Sequence, residues 1–272
     1  LGRKFPDLPC VAEEDTGLLE GQENSETRQQ VLDAVRESIP SCGEKQMLNA
    51  IRRGGFEGGS QSHFWVLDPI DGTKGFLRKE QYAIALALVQ DGQVVLGVLG
   101  CPDLPLDPFD PNSERGCLFY SRKDRGAFMR PLFSNLEEMP VRVSAKNSPS
   151  QAVFCESVES AHTKHHTSEQ IARKLGITQE PVRIDSQCKY ATVARGVADV
   201  YLRLQTSPDY VEYIWDHAAG WSIVTEAGGV VTDTHGRTLD FSKGRRLEEN
   251  TGIIATIPPF LDPLLKALSE VK

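Results

Sequence analysis

Two apolar, β-rich runs, Tyr82–Gln90 and Val94–Cys101, stand on either side of the dipeptide Asp91-Gly92. Asp-Gly favours positive φ at both central positions of a two-residue hairpin, so this stretch commits the chain to an antiparallel sheet. Cys117–Ser121 and Gly126–Met129 read as a further strand pair, preceded by a Pro- and Asp-rich loop over Leu104–Glu114. Upstream, residues 16–63 are polar and irregular, with one helical stretch at Glu26–Ile39, where Val31, Val35 and Ile39 recur at helical spacing. Gly54, Gly55, Gly58 and Gly59 lead into the apolar strand end Phe64–Leu67.

Beyond Val141 the pattern changes. Val153–Ser157, Val182–Ile184, Val200–Leu204 and Val230–Asp233 read as strands. Between them, His166–Leu175 reads as a helix closed by Gly176, Lys189–Arg195 as one ended by Gly196, and Trp215–Ala227 as an apolar helix stopped by Gly228-Gly229. Alternating strands and helices predict a layered α/β architecture. The chain of 272 residues suits one large α/β domain or two small ones sharing a cleft, and the change of pattern divides it into halves at 1–140 and 141–272.

With 39% hydrophobic and 25% charged residues the chain is globular, and no apolar run approaches the roughly 18 residues of a membrane span. A net charge of -8 argues against nonspecific nucleic-acid binding. The six cysteines form no Cys-x-x-Cys pair and no zinc spacing, so they read as buried side chains of a reducing intracellular compartment, cytoplasm or plastid.

Chemistry concentrates in Asp68-Pro69-Ile70-Asp71-Gly72-Thr73. Proline fixes its own φ and biases the preceding residue toward extended geometry, and Gly72 permits a tight turn. Both carboxylates and the Ile70 carbonyl can then face one point, and hard oxygen ligands of this kind suit Mg²⁺. Two further acidic features complete the set. Glu13-Glu14-Asp15 follows the apolar Val11-Ala12, and Trp215-Asp216-His217 opens a helix, where Asp216 can act as an N-cap or border a phosphate site. Alone, each of these reads more simply as a solvated acidic run or a cap.

Together, Glu13-Glu14, Asp68–Thr73 and Trp215-Asp216-His217-Ala218-Ala219-Gly220 resemble, in order, the three signatures of the inositol monophosphatase superfamily. Val-Ala-Glu-Glu-Asp (11–15), Asp-Gly-Thr-Lys-Gly-Phe-Leu-Arg (71–78) and Asp-Ser-Gln-Cys-Lys-Tyr (185–190) are similar to its 3'(2'),5'-bisphosphate nucleotidase branch, particularly plant enzymes that also act as inositol polyphosphate 1-phosphatases. The resemblance implies an α/β/α/β sandwich, lacking here the two helices that the superfamily places before the Glu-Glu motif. It implies Mg²⁺ ligands at Glu13, Asp68, the Ile70 carbonyl, Asp71 and Asp216, with Glu14 near a third ion. Asp71 and Thr73 are implied in catalysis, Thr73 by orienting the attacking water. His162, Ser186, Lys189 and Arg203, with Thr73 and Asp216, are implied around the substrate, and Val211 and Tyr213 stand where the family often has Arg and Lys.

The activity so implied is removal of the 3'-phosphate of 3'-phosphoadenosine 5'-phosphate, with the sulfated analogue as a further substrate and inhibition by lithium. An inositol polyphosphate 1-phosphatase acting on inositol 1,4-bisphosphate is the neighbouring expectation. A catalytically weak or inactive remnant that binds metal or nucleotide, or only a partner protein, is the expectation of another class, because an Asp on the superfamily's upstream segment partners the Thr73 position. The start at Leu1 places any targeting peptide upstream.

Overall fold

The computed structural model describes residues 1–110, 112–134, 137–158, 165–205, 207 and 209–271. Seven strands run in chain order across the first sheet: β1 (Cys10–Ala12), β2 (His63–Asp71), β3 (Ala83–Gln90), β4 (Gln93–Pro105), β5 (Arg115–Arg122), β6 (Ala127–Pro131) and β7 (Met139–Val141). β1 pairs parallel to β2, and every other neighbour pair is antiparallel. The expected hairpin is present: Gln90 pairs with Gln93, and Asp91 and Gly92 have φ of 50° and 76°, the signs a type I′ turn requires.

The second sheet has the order β11-β12-β10-β8-β9, built from β8 (Phe154–Glu156), β9 (Val182–Arg183), β10 (Val200–Arg203), β11 (Val230–Thr232) and β12 (Ile253–Thr256). β10 shows why these residues make a doubly covered strand. Val200 and Leu202 point to one side with Ile254 of β12, against Ile171 of α4 (His165–Lys174) and Leu264, Ala267 and Leu268 of α7 (Leu261–Ser269). Tyr201 points the other way, into the main core, as period-2 alternation demands.

That main core lies between the sheets and holds α5 (Cys188–Ala194) and α6 (Ala218–Glu226). The two helices touch closely at Gly220, where an added Cβ would fall 2.2 Å from the Tyr190 ring. Read outward, the layers are helices α4 and α7, the second sheet, helices α5 and α6, and the first sheet, the expected α/β/α/β order. On the far side of the first sheet Trp65, Cys10 and Ala12 pack with half-buried Leu67, Leu86, Leu88 and Leu96.

Several sequence expectations are corrected. Residues 16–63 are not irregular beyond one helix: besides α1 (Ser25–Ser38) they contain α2 (Glu44–Arg52), whose Met47, Leu48 and Ile51 pack with Leu32 and Cys42. The apolar strand does not end at Leu67 but runs through the acidic motif to Asp71. The helix expected over Trp215–Ala227 is two pieces, a 3₁₀ turn at Ile214–Asp216 and then α6. They break at His217, with φ of -136°, whose ring is held between the Tyr190 hydroxyl and the Glu212 carboxylate at 2.8 and 3.2 Å. Asp216 makes no side-chain N-cap bond to α6; His217 holds the cap position. β1, β7, β12 and α7 lie outside the elements expected from the sequence. Among the described residues, no helix is long and apolar enough to cross a membrane, and the six cysteines are buried and unpaired.

Candidate functional site

β2 brings the two motif carboxylates together by breaking its own register. Residues three apart on a regular strand face opposite sides. Here Asp68 pairs with Ala85 but Asp71 with Ala83, so three steps along β2 match two along β3. Because Ala83 and Ala85 share one face, the extra residue returns Asp71 to the side of Asp68. The Ile70 N–H donates to the Asp68 carboxylate at 3.1 Å. Gly72 then turns with φ of 88°, and α3 (Thr73–Leu77) follows. A Cβ at Gly72 would lie 2.8 Å from that of Ser186, so glycine serves both the turn and the approach of the neighbouring loop.

Glu13 arrives through the parallel pairing of β1 with β2: Ala12 is opposite Leu67, and the Glu13 N–H donates to the Leu67 carbonyl at 3.2 Å. Asp216 arrives from the 3₁₀ turn. One oxygen from each of Asp68, Asp71 and Asp216 lies within 4.8 Å of the others. Asp68 is 1% exposed. Burial, then the charges of Asp71, Glu13 and Asp216, push its carboxyl up to about 10. Burial and Asp216 push Asp71 up to about 6 against the pull of Lys189 and the Gln187 N–H. Glu13 and Asp216 are raised too, first by burial and then by acidic neighbours.

Such a cluster is costly without a cation. Its carboxylates offer only oxygen atoms, and the imidazole of His217, next to Asp216, is occupied by Tyr190 and Glu212. The donor set therefore fits a hard divalent ion.

A cleft of about 350 Å³ opens over this cluster. Glu13, Asp68, Ile70, Asp71 and Thr73 line it on the first-sheet side, and Ser186, Lys189, Arg203 and Asp216 on the other. Thr73 is exposed in it, its hydroxyl donating to the Ile70 carbonyl at 3.4 Å. Lys189 is 5% exposed, with Nζ 5.3 Å from the Tyr201 ring centre. Burial lowers its pKa, opposed by the Asp71 charge. Arg203 bonds Glu212 at 2.9 Å and reaches Asp216 at 3.5 Å. Glu14 does not line this cleft; it borders the adjoining apolar groove with Leu18, Leu67 and Pro69. His162 lies outside the described residues.

Sequence reading passed over three features of the site. Tyr201 and Tyr210 line the cleft, but lone tyrosines carry no signal without neighbours. Arg245 donates to the carbonyls of Gly54, Phe56 and Ala12 at 2.7 to 3.0 Å, tying β1 and its approach to the third motif. Its guanidinium stands 4.8 Å over Trp215, which stacks on Tyr213 at 4.3 Å. Arg246 completes the stack, 4.5 Å over Tyr213 and bonded to its hydroxyl at 2.6 Å. The two residues face each other across an isolated antiparallel bridge. Positive charge thus stands beside position 213 although residue 213 is itself neutral. Finally, Gln187 joins the second and third motifs.

A model of the inositol monophosphatase family matches residues 11–271. The 3'(2'),5'-bisphosphate nucleotidase of Dictyostelium discoideum is 45% identical over 267 residues, covering 97% of this chain and 79% of that protein. The 3',5'-bisphosphate nucleotidase 2 of Arabidopsis thaliana is 45% identical over 277 residues, with the same coverage of 97% and 79%. Among solved structures, an inositol monophosphatase from Anabaena (Nostoc) sp. PCC 7120 superposes with a TM-score of 0.59 at 23% identity, over 100% of this chain and 82% of that one. The suhB extragenic suppressor protein of Bartonella henselae gives 0.61 at 23% identity, over 99% and 80%. With its three acidic motifs gathered at one cleft and matched along nearly its whole length, the chain belongs to the inositol monophosphatase family.

Proposed function

We propose that the chain is a Mg²⁺-dependent phosphatase that hydrolyses the 3'-phosphate of 3'-phosphoadenosine 5'-phosphate to AMP and phosphate, and accepts the sulfated analogue. The observation that carries this reading is one cleft lined both by the carboxylates of Glu13, Asp68, Asp71 and Asp216 and by the cations Lys189 and Arg203. A phosphate suits the carboxylates only with a divalent ion between, and a second phosphate suits the cationic side chains directly. The bisphosphate nucleotidases at 45% identity support the nucleotide as the molecule carrying both.

Glu13, Asp68, Asp71, Asp216 and the Ile70 carbonyl would hold Mg²⁺, which when bound neutralises the transferring phosphoryl group and favours ionisation of water. The chain's own residues do the rest. Thr73 donates its hydroxyl proton to the Ile70 carbonyl, leaving its oxygen free to accept a hydrogen bond from the attacking water and orient it for in-line displacement. Asp71, held by the Gln187 N–H, keeps its remaining oxygen toward the cluster. Lys189 offers a desolvated ammonium, and Ser186 a hydroxyl beside it, to the phosphate that is not cleaved. Arg203 is engaged with Glu212 and Asp216, so it sets the charge of the site and the place of Asp216 as well as facing the substrate.

The test is phosphate release with Mg²⁺ from 3'-phosphoadenosine 5'-phosphate and, in parallel, from inositol 1,4-bisphosphate. The expected result is a higher kcat/KM on the nucleotide and inhibition by millimolar Li⁺. Preference for the inositol substrate would transfer the assignment to the 1-phosphatase reading.

A further inference from the structure

Gln187 is 2% exposed and reaches three places. Its backbone N–H donates to the Asp71 carboxylate. Its carboxamide N–H donates to the Trp215 carbonyl at 2.8 Å, and its carboxamide oxygen accepts the Gly220 N–H at 3.1 Å. The last two partners bracket Asp216. Trp215 immediately precedes it, and Gly220 lies in the first turn of α6, where backbone N–H groups have no partner within the helix. His217, the cap residue of α6, makes no side-chain cap bond; the Gln187 oxygen supplies one from another segment.

The local backbone makes this reach possible. Ser186 adopts φ of 64°, an uncommon conformation for a residue with a Cβ, and turns the chain so that the next N–H meets Asp71. The loop is anchored a second time where Arg78, just beyond α3, pairs with Asp185 at 2.5 Å. The loop carrying Ser186 and Lys189 is thus fastened to the strand bearing Asp68 and Asp71, and Gln187 extends the fastening to both sides of Asp216, beside the Tyr190–His217 bond at 2.8 Å.

We infer that Gln187 is a positioning residue for the metal centre: its carboxamide sets the place of Asp216 relative to Asp71, and with it the affinity for the divalent ion. This rests on the metal reading proposed above. Groups that orient metal ligands from behind typically matter 10–100-fold in metal affinity or activity.

The experiment compares the wild type with Gln187→Met, which keeps bulk without polarity, and Gln187→Asn, which keeps polarity without reach. Ser121→Ala serves as the control: it removes a buried Ser121–Ser222 hydroxyl pair that also anchors α6, at 2.8 Å, without touching a ligand segment. Mg²⁺ binding is measured by calorimetry without substrate, alongside Tm, the half-saturating Mg²⁺ concentration, and KM at saturating Mg²⁺. Both Gln187 variants are expected to bind Mg²⁺ about 10- to 100-fold more weakly, with KM at saturating Mg²⁺ close to wild type. Ser121→Ala should lower Tm with Mg²⁺ affinity unchanged. Wild-type Mg²⁺ affinity in a folded Gln187 variant would overturn the inference, as would an equal loss in Ser121→Ala. Should Gln187→Met fail to fold, Gln187→Asn decides. Absence of Mg²⁺ binding by the wild type would instead refute the metal reading itself.

Discussion

Replacing Asp68 by Asn should make the metal-free protein more stable while removing its response to Mg²⁺. Asp68, Asp71 and Asp216 present oxygens within 4.8 Å of one another. Each ionised pair at that distance repels by about 3 kcal/mol at an effective dielectric near 20. Asparagine removes two such pairs and keeps an oxygen to accept the Ile70 N–H. The gain has a ceiling, because a carboxyl relieves repulsion by taking up a proton, which at pH 7 costs about 4 kcal/mol for an ordinary Asp. A net gain of about 1–4 kcal/mol corresponds to roughly 3–12 °C in Tm for a chain of this size. Mg²⁺ at about 100 times its Kd should stabilise the wild type by about 2.7 kcal/mol. Asp68→Asn should gain almost nothing from Mg²⁺ and show no phosphate release. Thermal melts in EDTA and in Mg²⁺ check both arms. The reasoning is refuted if Asp68→Asn melts below wild type in EDTA, or if Mg²⁺ raises both proteins equally.

Three further predictions rest on other parts of the molecule. Burial pushes the Cys10 and Cys117 thiols up to about 11 and Cys155 to about 12, so a thiol reagent at pH 8 should react slowly with native protein and with all six cysteines after denaturation; a rapid native phase would refute this. Burial opposes the charge of Asp233, but N–H groups of Arg237, His235 and Asn250 outweigh it and hold its carboxyl below the usual range. Stability from Asp233 is therefore present above its unfolded pKa, about 3.9, and lost as pH falls through the lower folded value. Asp233→Asn should cost about 1–3 kcal/mol near neutrality, and Tm curves of the two proteins should converge below about pH 4; a constant gap down to pH 3 would count against it. Arg246→Ala removes the guanidinium stacked on Tyr213. It should lower stability by about 1 kcal/mol while leaving KM for the bisphosphate unchanged, because Arg246 does not line the cleft. A rise in KM for the bisphosphate at unchanged Tm would instead place Arg246 at the substrate.

Much of the fold was legible because its signals are local. Asp91-Gly92 between two apolar runs specifies a turn by backbone sterics alone, and Gly176 and Gly196 end their helices with φ of 69° and 72°. α2 was legible in principle, since Met47, Leu48 and Ile51 stand at helical spacing and face the small cluster shared with α1. β1 is three residues long and exists because β2 offers it an edge. The break at His217 could not be read from an apolar run of helical composition, since it depends on Tyr190 and Glu212, which are distant in sequence or lie before the motif.

The candidate site divides along the same line. Residue types at fixed spacing announced the three acidic motifs, but Asp-x-x-Asp on a strand predicts divergent carboxylates. Only the register shift against Ala83 and Ala85 makes them converge, and Pro69 and Gly72 are the sequence traces of that irregularity. Residues whose work lies in joining motifs, Gln187 and Arg245, carry no trace of it, because their partners are backbone carbonyls and N–H groups that every residue possesses. A carboxylate cluster assembled from three separate segments needs such joints. Carboxylates that repel one another will spread unless the segments bearing them are held by bonds that do not depend on the ion. In this chain those bonds come from Arg245, which ties the Glu13 segment, and from the loop that also presents Ser186 and Lys189 to the cleft.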